Sequence, residues 1–573
     1  MPEIAPEEMY VFESREAVAS SVVGGYYQIL TALTDGNGKE IFTATQFIKL
    51  GEIAIPRTGK PLTLTFMWEL HQPLYPDLAE SRRNLRNFIN IYRRIARLYE
   101  KHPKVRSDIC LSGTLLYQLV RFYPDVVEDY RKLVKKNTVD LVATGFGHPL
   151  FPFISYEEID YQIRTDKEFK NFVFGKQPQG IHIPEMAFSN NVIAPMMAND
   201  IRWGYFSRHA LDTGYKNMPD INYNVPSRLV SPGGVINILI RDPDAVNIVL
   251  KKNERALDEF IQYLLKIQEK NDGTYVVVVA NNGEFIGDGK FMDELFTKLQ
   301  QINWIRFKTG ADIFKDLHPT QTFLGDRIFG GWYYDVERKR STFRLWQDTE
   351  IKREIWNELK DAREVILRIN NQIQRSQGLK NIDTSYPSVL FEEAWEQLLR
   401  AQQSDWIWAG SLESAMIAKQ GAARAKSITA YVYETLIKIL RGEIITVPPI
   451  TEIGTVLPRG EHMRYFREME GDRFKVWDNK VIPGVQTSGS AIHIEFKIFD
   501  EKLGINYDNV YVVYNINETD RYFKVKAELG FDGNMRAFLG RPRAGYTVDY
   551  FIYASDREGN ESISDKFRFK VKE

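Results

Sequence analysis

The sequence predicts an α/β protein built as a parallel α/β barrel, followed by a helical region and a C-terminal β-sandwich. Three observations predict it. Between residues 61 and 318, short β-branched or apolar runs alternate with stretches of helical spacing, the pattern of a parallel sheet covered by helices. From 319 to 446 the strand signal fades and apolar residues recur at intervals of three and four. From 447 onward, short alternating strands return, separated by turn residues.

The elements follow in order. Residues 1–60 alternate apolar and polar side chains around Thr34-Asp35-Gly36-Asn37-Gly38, which predicts a β-rich extension with a hairpin. Strands are predicted at 62–68, 106–111, 139–144, 179–183, 202–206, 235–240 and 275–280, with helices at 83–102, 115–123, 126–136, 156–172 and 191–198 between them. A helix at 293–301 and a strand at 304–308 come next. About seven barrel strands can be counted, from 62–68 to 275–280, one short of the usual eight. Helical spacing recurs over 344–373, 391–402 and 412–441. Val447-Pro448-Pro449 reads as a linker, and 491–496, 510–514 and 546–553 read as sandwich strands. The charge run Lys251-Lys252-Asn253-Glu254-Arg255 reads as a solvated helix face.

Composition narrows the function classes. A chain of 573 residues exceeds one hydrophobic core, so several domains are expected. A formal net charge of −1 gives no reason to expect nucleic acid or an anionic membrane as partner. The single cysteine, Cys110, excludes an intrachain disulfide and a thiolate cluster, and its apolar setting predicts burial. No apolar run approaches the roughly 18 residues of a spanning helix. The start Met1-Pro2-Glu3-Ile4 lacks a basic n-region and an apolar h-region, so no signal peptide is expected; the compartment stays open. Aromatics at 13% suit a protein that stacks on flat apolar surfaces such as sugar rings.

Functional residues of such a barrel sit just past the C-terminal ends of its strands. Those positions carry Trp68-Glu69-Leu70-His71-Gln72-Pro73, Gly145-Phe146-Gly147-His148-Pro149, Pro184-Glu185-Met186-Ala187 and Asn281-Asn282-Gly283-Glu284. The helical region adds Ser404-Asp405-Trp406-Ile407-Trp408. Imidazoles and carboxylates suit sugar hydroxyls, and indoles suit ring faces. Each residue also has a plainer role open to it. His71 can cap a strand end, Asp405 can cap a helix, Glu185 can be a rim ion-pair partner, and Trp406 and Trp408 can be core.

These five segments, in this order, resemble the signature regions of glycoside hydrolase family 57, closest to its amylopullulanase and α-amylase branch, over roughly residues 62–440. The resemblance implies an incomplete (β/α)7 barrel, a helical region completing the site, α-glucan or maltooligosaccharide as partner, and a retaining mechanism. It implies Glu185 as nucleophile, His71 and His148 as sugar-binding residues, and Asp405, Trp406 and Trp408 as a substrate-lining region. His182, where a tryptophan is common, and Glu284 join the substrate-binding set. The chain departs at the acid/base position, where Asn282-Gly283-Glu284 replaces Asp-Gly-Glu, and again at Ala409-Gly410-Ser411. The mechanism requires no cofactor, and no loop has the acidic spacing of a dedicated cation site, so no metal is expected.

An amide cannot give up a proton at neutral pH, so Asn282 cannot serve as acid/base. Glu284 or Asp288 supplying the proton, deamidation of Asn282-Gly283, and an introduced Asp-to-Asn change are the alternatives open here. Three functions follow: an α-glucan hydrolase or transglycosylase, a catalytically degenerate glucan-binding protein, or a structural component reusing the fold.

Overall fold

Runs such as Val276-Val277-Val278-Val279 have branched side chains that pack well on a sheet buried on both faces, and they form its strands. The computed structural model describes residues 25–34, 37, 39–50, 53, 55–215, 218, 221–377, 384–443, 455–457, 461, 474–482, 484, 486, 490–500, 504–519 and 521–573. The first 24 residues of the predicted N-terminal extension and the predicted linker Val447-Pro448-Pro449 lie outside them. The extension's hairpin is present, with β1 (Gly25–Thr34) antiparallel to β2 (Glu40–Leu50).

An α/β fold with parallel strands and flanking helices follows. β3 (Leu62–Leu70) leads to α1 (Leu78–Lys101), β4 (Ser107–Leu111), α2 (Gly113–Phe122), α3 (Pro124–Lys135), β5 (Val139–Leu141) and α4 (Tyr156–Phe174). Next come β6 (Gly180–His182), α5 (Ile193–Ala198), β7 (Trp203–Ser207), α6 (Arg208–Tyr215), β8 (Ser227–Ser231), β9 (Gly234–Arg241), α7 (Pro243–Leu250) and α8 (Glu254–Gln268). β10 (Val276–Asn282), α9 (Lys290–Leu299), β11 (Ile305–Phe307), α10 (Gly310–Asp316) and β12 (Gln321–Leu324) complete this part.

Two five-stranded sheets result, in orders β10-β3-β4-β5, with β11 also on β3, and β12-β8-β9-β7-β6. Two narrow seams join them. Ala143 makes an isolated parallel bridge to Ile181 beside β5 and β6, and the Asp242 N–H donates to Val278 O at 3.0 Å beside β9 and β10. One face of these strands supplies an interior cluster that includes Met67, Cys110, Val142, Tyr205, Leu239, Val278 and Ala280. Cys110 is fully buried there, as expected.

The predicted helix face at Lys251–Arg255 is corrected. Lys251 caps the end of α7 and Asn253 caps the start of α8, its side chain accepting from the Ala256 N–H at 2.8 Å, so the run is a joint between two helices. The strand predicted at 139–144 ends at Leu141, because the Thr144 N–H turns away to the buried Asp166 carboxylate at 2.9 Å.

A short hairpin, β13 (Tyr334–Asp335) with β14 (Arg340–Ser341), precedes α11 (Glu350–Gln377), α12 (Ser385–Ala401), α13 (Ser404–Ala409) and α14 (Leu412–Leu440). Two antiparallel sheets lie C-terminal to these helices. The central pairs are β18 (Ile505–Ile516) with β22 (Thr547–Asp556), and β17 (Ile492–Phe499) with β21 (Met535–Gly540). Their turn at 530–533 braces the α/β part. Phe531 packs on Phe146 with ring centroids 4.5 Å apart, and the Phe531 N–H donates to Glu396 on α12 at 3.0 Å. Among the described residues, no helix is long and apolar enough to cross a membrane.

Candidate active site at the strand ends

The rim is built from registers. In a parallel pair, residues side by side in register point to the same face. Glu69 aligns with Asn282 on one side and with Cys110, an interior residue, on the other. Glu69 and Asn282 therefore lie level with Cys110, on the same sheet face as the interior cluster. Asn282 is exposed at the rim, and no carboxylate occupies its place.

Glu185 follows β6 on a turn that holds its backbone in the left-handed region, φ 57° and ψ 15°; Met186 (φ 46°) and His148 (φ 53°) are in the same region. Non-glycine residues pay of order 1–3 kcal/mol for such backbone, which persists where surroundings fix it. Here they do. The Trp332 N–H donates to Glu185 O at 3.1 Å, and the adjoining Gly331 lies so close that a Cβ would come within 2.6 Å of that oxygen. The Trp332 indole N–H donates to Glu185 Oε2 at 2.5 Å, and Ser404 Oγ donates to Oε1 at 3.0 Å. Burial raises the Glu185 carboxyl above its usual range; His148 opposes the rise and Glu69 adds to it.

Ser404 is the first residue of α13 and bonds to His148 twice. Its N–H donates to His148 O at 3.0 Å, and its Oγ lies 3.0 Å from His148 Nδ1. On the other edge of that ring, Nε2 lies 2.5 Å from Glu69 Oε1. A continuous chain thus runs from Glu69 through His148 and Ser404 to Glu185. Burial alone would lower the His148 imidazolium, but Glu69 against it raises it to about 9. Burial likewise would raise Glu69, yet His182 and His148 hold it well below the carboxylate range. His182 Nε2 is 3.1 Å from the same Glu69 oxygen, without the alignment of a hydrogen bond.

A second chain lies alongside. His71 stacks on His148, centroids 4.1 Å apart and planes 17° from parallel. His71 Nδ1 meets Ser112 Oγ at 2.8 Å and Nε2 meets Asp405 Oδ2 at 2.7 Å. Burial would raise Asp405; His71 lowers it below its usual value. Gln403, two residues before Asp405, clamps the Leu74 peptide through both N–H and C=O, at 2.7 and 3.1 Å, which ties α13 to the loop after β3. Glu284 faces the other way. Its Oε1 accepts from Gln72 Nε2 at 3.2 Å and Tyr92 OH at 3.1 Å, and burial raises its carboxyl. Arg241, at the end of β9, donates from Nε to Ala280 O at 2.9 Å, and burial pushes its guanidinium down to about 10.

The structure thus brings together His71, His148, His182, Glu185 and Asp405, with Asn282 in register at the rim and Glu284 behind Gln72. Trp406 is corrected. It is 4% exposed within the helical core, edge-on to Tyr75, with its indole N–H on Arg400 O, so it supports the site from behind. Trp408 is 56% exposed. Three site residues had no assignment from the sequence: Glu69, Ser404 and Trp332. Glu69 and Ser404 stand inside quoted motifs and were legible as polar neighbours, whereas nothing local marks Trp332.

His71, His148 and Asp405 present ligand-type atoms within 4.8 Å of one another. Each imidazole nitrogen of the pair already has a hydrogen-bond partner, and His148 is driven toward its protonated form. A cation needs neutral, unshared nitrogen, so this arrangement does not fit one.

Residues 65–325, from β3 into the segment after β12, match the sequence model of Glycosyl hydrolase family 57. This part of the chain is similar to family 57. An α-amylase from Pyrococcus abyssi is 23% identical over 196 residues, 34% of this chain and 29% of that protein. A 4-alpha-glucanotransferase from Thermococcus kodakarensis is 22% identical over 196 residues, again 34% of this chain and 29% of that protein. The match spans less than a third of the length of these curated relatives. In fold, a family 57-type branching enzyme from Pyrococcus horikoshii superposes with TM-score 0.52 at 14% identity, covering 66% of this chain and 91% of that one.

Proposed function

We propose that this chain binds α-glucan or maltooligosaccharide at the Glu185 mouth and acts there as a retaining family 57 hydrolase or transglycosylase, held to very low turnover by Asn282. The reading includes an incomplete (β/α)7 barrel of β3, β4, β5, β6, β7, β9 and β10, supported by the two seams, and a C-terminal β-sandwich. It keeps the boundaries 1–60, 61–318, 319–446 and 447–573 for extension, barrel, helical region and sandwich. The α-amylase and glucanotransferase relatives support the substrate class.

One observation carries the proposal: a Glu185 carboxylate held by two donors, on strained backbone, at the rim layer that also holds Asn282. In a retaining mechanism Glu185 attacks the anomeric carbon, and the C–O bond to the leaving group breaks. The leaving oxygen then needs a proton. Ser404 and Trp332 orient Glu185, and the Glu69–His148 pair holds Ser404. His71 with Asp405 offers polar contacts to sugar hydroxyls, and exposed Trp408 and Trp332 offer ring faces. Asn282 can donate a hydrogen bond to a glycosidic oxygen but cannot transfer a proton, and Glu284 points its carboxyl at Tyr92 and Gln72.

Asn282 also favours a second reading, a glucan-binding protein without turnover. The test is maltohexaose binding by calorimetry together with reducing-sugar release, in wild type and Glu185→Gln. Slow release abolished by Glu185→Gln supports the hydrolase. Binding with no release in either protein supports the second reading, and no binding overturns both.

A further inference from the structure

The segment between β12 and α11 has two working faces. One carries Trp332 to Glu185. The other closes a cavity of about 440 Å³ whose wall includes Arg338, Arg340, Arg344 and Arg353 together with Phe329. The one carboxylate in that wall, Asp348, already takes Lys352 Nζ at 2.9 Å. Outside the lining, buried Asp335 lies 3.7 Å from Arg338 and 3.8 Å from Arg344, and exposed Glu337 takes Arg344 Nη1 at 2.6 Å. Arg353 spends one N–H on Gln347 O at 3.0 Å. Neither Arg340 nor Arg353 forms an ion pair among the described residues.

Like charges repel, so guanidinium groups gathered on one concavity are most stable with an anion between them. Guanidinium forks match phosphate oxygens in pairs. Phe329 is half exposed and is held edge-on by Phe343 at 4.6 Å, which leaves an apolar ring at the cavity mouth. Such a ring packs against the C–H face of a pyranose. The volume falls in the range of small-molecule sites. Thr213 and Gln347 add groups for sugar hydroxyls. We infer that this cavity is a subsite for a phosphate monoester on a sugar, with the arginines on the phosphate and Phe329 on the ring.

None of the residues placed at the Glu185 mouth lines this cavity, so the inference does not rest on the function proposed there. The cavity is nonetheless linked to that mouth. Ser341, part of the cavity wall, accepts from the Gly331 N–H at 2.9 Å and donates to Tyr333 O at 2.9 Å, on both sides of Trp332.

The experiment is calorimetric titration of the full chain with glucose 6-phosphate, inorganic phosphate and unmodified maltotriose, repeated on the Arg340→Gln/Arg353→Gln double variant and on Arg353→Lys. Both arginines are exposed, so an unchanged Tm verifies the fold of each variant. The expected result is that glucose 6-phosphate binds about tenfold or more tightly than inorganic phosphate. The double variant should weaken it at least about tenfold, with Arg353→Lys intermediate because a point charge replaces a fork. Pull-down with phosphorylated amylopectin, against the same polymer dephosphorylated, separates the sources. Retention of the phosphorylated polymer alone assigns the ester to a polymer, and binding of glucose 6-phosphate without retention assigns it to a small metabolite. Equal affinity for inorganic phosphate, affinity unchanged in the double variant, or no binding of either phosphorylated probe up to about 10 mM overturns the inference. Maltotriose binding in the same proteins reports on the Glu185 mouth separately.

Discussion

Replacing Asn282 by Asp changes one amide to a carboxyl of the same shape, at an exposed rim position in register with Glu69. No steric cost arises. The electrostatic cost is small, because Asn282 is exposed and the nearest aligned carboxylate, Glu69, is balanced by His148 and His182. The variant would have two carboxyl groups at one rim, and general acid–base catalysis is worth roughly 10²–10⁴-fold. That gain lowers the barrier by about 2.7–5.4 kcal/mol at 1.36 kcal/mol per tenfold. The assay is kcat/KM for reducing-sugar release from maltohexaose, with binding followed by calorimetry. The N282D variant should gain at least about 100-fold with little change in affinity, and adding Glu185→Gln should remove the gain. A folded, glucan-binding N282D protein whose rate stays within about threefold of wild type refutes the assignment of the acid/base position.

The supporting chains give further expectations. In the N282D background, Ser404→Ala removes one of two donors to Glu185 and should lower kcat about 10-fold or more with a smaller change in KM, measured by steady-state kinetics. Glu69→Gln removes the group that raises His148, so NMR titration should show the His148 pKa falling from about 9 toward or below its ordinary value. In wild type, a raised histidine pKa beside a lowered carboxyl means the Glu69–His148 contribution to stability is whole between about pH 4.5 and 6.5 and is lost as pH rises through about 9. Thermal melts across that window should therefore show a fall in Tm on the alkaline side that Glu69→Gln abolishes. Trp406→Ala should cost about 3–5 kcal/mol in denaturant unfolding, because it empties a buried site, whereas Trp408→Ala should leave stability unchanged and weaken glucan binding.

Much of the α/β part was legible because its signals are local. The apolar run at 62–68 and the β-branched run at 276–279 read as buried strands, and helices such as α4 open on a capping box, Ser155 with Glu158, that the chain states outright. Elements that depend on turn chemistry were lost. Asp242-Pro243 resembles a chain break, yet Asp242 is an N-cap and Pro243 sits in the first turn of α7, where it has no N–H to waste. α8 was hidden by the charges at its start.

The site shows the same division. Glu185, His71 and His148 were picked out as candidates because motifs mark them. Glu69 was passed over because a carboxylate in a strand carries no local sign that two histidines, 79 and 113 positions away, will share it. Trp332 reaches Glu185 across 147 positions from a loop with no periodicity, just before a hairpin, so only the assembled fold could place it. Trp406 was given a substrate role by its neighbours in the motif, and helix geometry instead turned its ring into the core.

The central claim is that Glu185 is a nucleophile deprived of its acid/base partner. An α-maltosyl fluoride donor tests it most directly, because fluoride departs with little need of a proton while the second step still lacks a base. Wild-type protein incubated with this donor should accumulate a maltosyl ester on Glu185, seen as an adduct on the peptide containing Ile183-Pro184-Glu185 by tandem mass spectrometry. Protein that binds maltohexaose normally yet yields no adduct, or carries it on another residue, contradicts the account.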